Sequence, residues 1–164
     1  MSAHHSQTHD HDGDLAVFLI GLRVGRPWRP DLWIPTVAAM APMISELYAA
    51  KAAAERGAGP HPGFLSHRTL VGLGGPTLVQ YWRSADDIYA YAHDPSRAHR
   101  PAWLEFYRRG RGSAGAVGIW HETYAIAAGA AESLYLDMPT TGLGAAFGTR
   151  ESLGRRHARI TRAA

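Results

Sequence analysis

The residues best suited to chemistry lie together in segment 118–124, which contains an imidazole, a carboxylate, an indole and a phenol. Imidazole and carboxylate groups are the usual side chains of general acid–base catalysis. Residues 117–126 are apolar or β-branched at both ends and lie between two glycine-rich stretches, which predicts one buried β-strand. Successive side chains of a strand point to opposite faces, so His121 and Glu122 should not touch.

The elements that must position this strand follow the order βαββαβ. They are a strand over 15–24, a helix over 35–56, two strands over 64–73 and 77–83, helical pieces over 84–91 and 97–109, and the strand at 117–126. Pro42 should kink or split the first helix, because proline removes an amide donor and clashes with the preceding turn. Ser84 is a predicted N-cap.

This order is typical of the ferredoxin-like arrangement, an α+β fold in which helices cover one face of an antiparallel sheet. We expect the first and last strands to be central. The first strand is apolar on both sides, so the second face of the sheet also needs a cover. A second copy would close a shared barrel, which predicts a homodimer with a dry chamber beside His121.

Composition limits the remaining possibilities. The 164 residues predict one domain over 15–143, preceded by a disordered His-rich tail at 1–14 and followed by a basic tail at 144–164. The absence of cysteine excludes disulfides, thiolate nucleophiles and cysteine-ligated haem. No apolar run reaches the roughly 18 residues of a membrane span, so we expect a cytoplasmic protein without membrane contact. The net charge is +3, but the sequence contains no known nucleic-acid-binding module. We therefore expect no nucleic-acid partner.

Several motifs resemble a bacterial and fungal family described as monooxygenase-like. The motifs are Ile-Gly-Leu-Arg at 20–23, Gln-Tyr-Trp-Arg-Ser at 80–84, Tyr-Ala-Tyr-Ala-His at 89–93, His-Arg-Pro-Ala-Trp at 99–103, Gly-Ile-Trp-His-Glu-Thr-Tyr at 118–124, Tyr-Leu-Asp-Met-Pro at 135–139 and Gly-Leu at 142–143. The family is assigned to the dimeric α/β-barrel superfamily, which also contains haem-degrading enzymes, chlorite dismutases and aldoxime dehydratases. The resemblance covers about residues 17–143.

The resemblance implies a pocket between the helices and the sheet, or within the barrel. The candidate catalytic residues are His121, Glu122 and Arg83. The candidate substrate-binding residues are Arg23, Tyr81, Trp82, Trp103, Tyr107, Trp120 and Tyr124. In the leading interpretation, an aromatic or polyketide-like metabolite loses a proton to His121 or Glu122 and its anion reduces O2, with no cofactor required.

Two other functions remain open. In one, resembling the haem-using branch, His121 is the axial ligand of haem b and Arg23 or Arg83 pairs with a propionate. In the other, the pocket carries a small molecule or haem without turnover.

Each candidate residue also has a purely structural interpretation. His121 could bond a backbone carbonyl, and Glu122 could form a salt bridge with Arg23 or Arg83. The Trp and Tyr residues could belong to the core. For His99 we expect a helix-capping role rather than a place in the pocket.

Overall fold

The computed structural model describes residues 6–110 and 115–152. The elements in chain order are β1 (Ser6–His9), β2 (Leu15–Val24), α1 (Pro30–Ala38), α2 (Met40–Glu55), β3 (Phe64–Gly72), β4 (Gly75–Trp82), α3 (Ala85–His93), α4 (His99–Gly110), β5 (Val117–Ile126), β6 (Tyr135–Leu136), α5 (Leu143–Phe147) and β7 (Thr149–Glu151).

Four antiparallel strands form the main sheet, in the order β3-β4-β2-β5. With the helices between β2 and β3 and between β4 and β5, this sheet has the ferredoxin-like βαββαβ arrangement that the sequence predicts. The prediction that the first and last strands are central is wrong for the last one. The central strands are β2 and β4, and β5 pairs with β2 alone, which makes β5 an edge strand.

The helix predicted over 35–56 is split, as Pro42 suggests. The helix α1 begins at Pro30, earlier than predicted, and ends at Ala38, and α2 begins at Met40. Pro42 therefore lies in the first turn of α2, where an amide donor has no partner within the helix.

Helices α2 and α3 cover one face of the main sheet, here called the helix face. Alternate residues of β2, including Ala16, Phe18 and Ile20, point to this face. The buried core is the cluster Ala16, Leu47, Phe64, Trp82 and Ile88.

The opposite side of the main sheet is here called the open face. Val17 and Leu19 of β2 are only half-buried there. The indole of Trp120 lies directly over Gly21. A Cβ atom at that glycine would come within 2.3 Å of the ring. Glycine at position 21 is therefore what lets the edge strand place a flat aromatic ring on this face.

The chain ends form a second, three-stranded sheet with the order β6-β1-β7. The expected disordered tail at 1–14 thus contains strand β1, and the tail expected at 144–164 contains most of α5 and all of β7. His9 is fully buried, and its backbone N–H donates to Ser133 Oγ at 3.0 Å. Pairing between segments so distant in sequence has no local signal. The remainders of both predicted tails, 1–5 and 153–164, lie outside the described residues.

Within the described ranges, none of the helices combines the length and the apolar character needed to cross a lipid bilayer.

Candidate active site

Two adjoining cavities lie between the helices and the helix face of the main sheet. The α4 cavity, with about 680 Å³ of empty space partly open to solvent, is walled by α1, α2, α4 and the strands β2 and β5. The core cavity, with about 540 Å³ of empty space that is also partly open to solvent, reaches inward to the core residues Leu47, Trp82 and Ile88. Both cavities share Ile20, Met40, Met43 and His99 in their walls.

The walls of both cavities are mainly apolar, with few polar side chains. The polar residues are Thr36 and Glu105 in the α4 cavity, Gln80 and Tyr91 in the core cavity, and His99 in both. An apolar cavity with a few polar groups is the usual form of a small-molecule site. These cavities are therefore the candidate active site.

His99 is the first residue of α4 and provides the ionisable group between the two cavities. Its ring stacks near Trp103, with the centroids 6.2 Å apart, and lies at the same distance from Tyr91. Its Nδ1 atom is buried and has no hydrogen-bond partner in the described part of the chain. The ring also has a hydrogen bond with the backbone of Ala92, which belongs to α3 and not to the first turn of α4. The imidazole belongs to the cavity wall.

The carboxylate of Glu46, on α2, binds the segment just before His99. It accepts hydrogen bonds from the backbone N–H of Ala98 at 3.1 Å and from the Tyr91 hydroxyl at 3.2 Å. Arg97 lies 3.7 Å from the same carboxylate. Because Ala98 precedes His99 directly, these contacts fix the start of α4 and the position of the imidazole.

Burial shifts two pKa values at the site. Burial of the ring lowers the pKa of His99, since a low-dielectric surrounding disfavours the charged imidazolium. Burial, reinforced by the Glu46 carboxylate, raises the pKa of Tyr91 far above its ordinary range. Near neutral pH the site therefore holds a neutral imidazole and a protonated phenol.

His121 lies on the helix face, as the strand alternation predicts, but not in a buried strand. It is exposed on the edge strand β5 and lines neither cavity. Its cross-strand neighbour Ile20 lines both cavities, and its ring is 5.7 Å from that of Phe18. The catalytic or ligand role of His121 stays a prediction, and so does the dimer-enclosed chamber expected beside it.

Glu122 and Tyr124 lie on the open face, away from both cavities. The Tyr124 hydroxyl donates to Glu122 Oε2 at 2.6 Å, and this bond raises the pKa of Tyr124. In the single chain Glu122 is exposed, because β5 is an edge strand rather than a buried central one. The structure thus satisfies this carboxylate with a phenol rather than with Arg23 or Arg83.

The other candidates are divided among several places. Trp103 lines the α4 cavity, and Trp82 is a core residue that also borders the core cavity. Tyr81, Trp120 and Arg23 belong to the open face, where Tyr81 is buried beneath Gly142.

The last two candidates lie outside both cavities. Tyr107 of α4 is 57% exposed. Arg83 lies beside α3 and pairs with Asp87 at 3.1 Å.

Three cavity residues were not predicted from the sequence: Gln80, Met40 and Met43. Gln80 lies on the same face of β4 as the buried residues Leu78 and Trp82. A polar residue between two core positions was the signal that could have indicated a role in the site. The two methionines gave no signal beyond helical periodicity.

Comparison with protein families decides the identity. The sequence model of the monooxygenase af470-like family matches residues 15–143. The chain belongs to this family. The match confirms the resemblance drawn from the motifs, and it covers the main sheet, its helices and every residue of both cavities. A comparison of this monooxygenase af470-like protein with curated proteins found no match.

Among solved structures, the monooxygenase af470-like chain is similar to an aldoxime dehydratase in complex with butyraldoxime, with a TM-score of 0.54 and 15% identity over 82% of this chain and 38% of that one. It is also similar to SnoaB, a cofactor-independent oxygenase from Streptomyces nogalater, with a TM-score of 0.44 and 15% identity over 68% of this chain and 92% of that one. A dimeric ferredoxin-like protein of unknown function from Thermobifida fusca gives a TM-score of 0.42 and 19% identity over 71% of this chain and 95% of that one. The likeness to the dehydratase shows the fold alone.

Proposed function

We propose that the protein is a monooxygenase that binds a small, largely apolar aromatic or polyketide-like metabolite in the two cavities, with His99 as the general base. The observation that carries this proposal is the buried Nδ1 atom of His99, which has no partner within the described residues and lies in an apolar wall. A neutral imidazole with a free nitrogen can accept a proton from a bound substrate.

The chemistry needs O2 as the oxidant and no other reagent. His99 takes a proton from a CH2 group conjugated with a carbonyl or phenol, and the electron pair moves into the substrate. The anion passes one electron to O2, and the resulting radical and superoxide combine to form the C–O bond of a peroxide anion. This anion takes the proton back from His99 and becomes a hydroperoxide. A base removes the second C–H proton, the O–O bond breaks, and hydroxide leaves as water. One O2 is consumed, one C=O bond is formed and one water is released.

The apolar walls support this chemistry in two ways. They keep water away from the anion and the radical, which limits side reactions. They also supply contacts for a ring system through Ile20, Met40 and Met43. The protein then contributes binding, orientation and proton transfer.

Oxygen uptake tests this function directly. The purified protein is mixed with anthrone or a phenolic substrate in an oxygen electrode, and the product is analysed by mass spectrometry. We expect uptake well above the rate in buffer, with one O2 consumed for each anthraquinone formed. Saturable binding of anthrone without oxygen uptake would instead support a non-catalytic carrier.

The pH dependence of kcat should follow the neutral form of His99. Because burial lowers the pKa of this residue below its ordinary 6.5, more than half of the imidazole is neutral at pH 6.5. We expect kcat to fall with decreasing pH as the imidazole becomes protonated, and to reach half of its maximum below pH 6.5. A half-maximal kcat above pH 6.5 would contradict the assignment.

We further infer a homodimer that buries the open face. Trp120, Tyr124 and Leu70 are 40%, 50% and 49% exposed there, and Val17 and Leu19 are only half-covered. On this face Glu122 lies between Trp120 and Tyr124 and accepts the hydrogen bond of the Tyr124 hydroxyl. The exposed apolar side chains around this pair favour association with a second copy.

Replacement of Trp120 by Arg should convert the dimer into a monomer, because it places a charge in the apolar interface. Light scattering should give twice the 17.8 kDa chain mass for the wild type and a single chain mass for the variant. His121→Arg is the matched control, since the adjacent side chain points to the helix face and the dimer should persist. A monomeric wild type at micromolar concentration rules out the dimer.

Haem ligation is the alternative function class. His99 offers a better-placed nitrogen than the expected ligand His121, which lines neither cavity. The rest of the site does not fit haem, because haem carries two carboxylates and none of the described lining residues is Arg or Lys. A Soret band after haem titration that disappears in His99→Ala or His121→Ala would reverse this conclusion.

A further inference from the structure

Gln80 is a buried polar residue in the middle of the main sheet. It lies on the central strand β4, opposite Phe18 of β2, and its side chain points to the helix face. It is only 7% exposed and lines the core cavity together with His99. A buried amide in an otherwise apolar wall is costly unless its donors and acceptors find partners.

The oxygen of the Gln80 amide already has a hydrogen-bond partner within the protein. The indole Nε1–H of Trp82 donates to Gln80 Oε1 at 3.0 Å. Because the indole nitrogen is only a donor, this bond fixes which end of the amide is oxygen. No hydrogen bond of the Nε2 group, with its two N–H donors, is found among the described residues, and the group is not one of their fully enclosed unpaired atoms, which places it in contact with the cavity. These donors are left for a ligand in the core cavity.

We propose that Gln80 donates a hydrogen bond to an oxygen atom of the substrate and thereby selects apolar molecules that carry a carbonyl, enol or phenol. This inference rests on the proposed function, which identifies the cavities as the substrate site. It adds the class of substrate and the residue that recognises it. A hydrocarbon of the same shape covers these N–H donors without offering an acceptor, so it binds less tightly.

Gln80 and His99 then have complementary roles in one cavity. When His99 takes the proton from carbon, the electron pair of the broken C–H bond moves toward the substrate oxygen. Gln80 faces the oxygen that gains this negative charge, and its N–H donor stabilises the anion. Trp82 holds the amide in the required orientation, so it is a positioning residue for Gln80.

The test compares 1-tetralone with tetralin, two ring systems that differ by one carbonyl group. Isothermal titration of the full-length protein should give a Kd about tenfold lower for 1-tetralone. In Gln80→Met the two ligands should bind within about twofold of each other, because the donor is lost. Gln7→Met, the same change in strand β1 and outside both cavities, should keep the tenfold preference.

A second variant covers the case in which Gln80→Met fails to fold. Gln80→Glu at pH 8.5 keeps an oxygen for the Trp82 N–H but has no N–H donor, so it should also lose the preference. Equal affinities in the wild type, no binding of 1-tetralone, or a preference that persists in a folded Gln80 variant overturns the proposal. Oxygen uptake does not enter this measurement, so failure of the proposed reaction leaves the role of Gln80 standing.

Discussion

Replacing His99 by Gln should lower kcat for oxygen uptake with anthrone by about 10²–10⁴-fold, the usual contribution of a general base. Glutamine has a similar size and can still form hydrogen bonds, but it cannot accept a proton. The substrate should continue to bind, because the apolar walls at Ile20, Met40 and Met43 are unchanged. Oxygen-electrode measurements at saturating anthrone give kcat, and an anaerobic titration gives the Kd of anthrone. The two values separate an effect on the reaction from an effect on binding.

His121→Gln is the matched control for this prediction. The same substitution on the edge strand lies outside both cavities, so kcat should stay within about threefold of the wild type. If His121→Gln abolishes uptake and His99→Gln does not, the base is the residue that the sequence analysis first favoured. The location of the reaction is then wrong in this account.

Replacing Trp82 by Ala should lower the free energy of unfolding by about 3–5 kcal/mol, the usual cost of removing a buried Trp or Phe side chain. The indole is 1% exposed and packs edge-on against Phe64, with the ring centroids 5.4 Å apart. It also contacts Tyr91 and donates to Gln80. The variant loses apolar burial, leaves a cavity and releases the amide of Gln80.

Urea unfolding followed by circular dichroism measures this change. Trp28→Ala is the control, because Trp28 is 74% exposed and its removal should change the free energy of unfolding by less than about 0.5 kcal/mol. A loss of less than about 1 kcal/mol in Trp82→Ala would show that this indole is not the centre of the core.

The sequence predicts the elements of the fold well because each one has a local pattern. Alternation along 117–126 correctly separates His121 from Glu122, and Ser84 caps α3 by accepting the Asp87 N–H at 3.1 Å. The order of strands has no such pattern. The strand β5 is at an edge because, among the described residues, only β2 pairs with it, and nothing in its own sequence predicts this.

The site was harder to predict than the fold for the same reason. Segment 118–124 contains several residues that could act in catalysis. Because it lies in an edge strand, their side chains are divided between two faces of the sheet and are exposed. His99 was visible as part of an aromatic helix face with Trp103, but its burial depends on how α4 packs against α2 and the sheet. The cytoplasmic location stays a prediction.

The central claim is that ligand binds between the helices and the helix face, and NMR of 13C-methyl-methionine tests it most directly. Met40 and Met43 lie in the walls of both cavities, whereas Met138 is 50% exposed and lies outside them. Addition of anthrone under nitrogen should shift the methyl signals of Met40 and Met43 through its ring current and leave Met138 unchanged. Saturable anthrone binding that shifts neither Met40 nor Met43 would contradict the account.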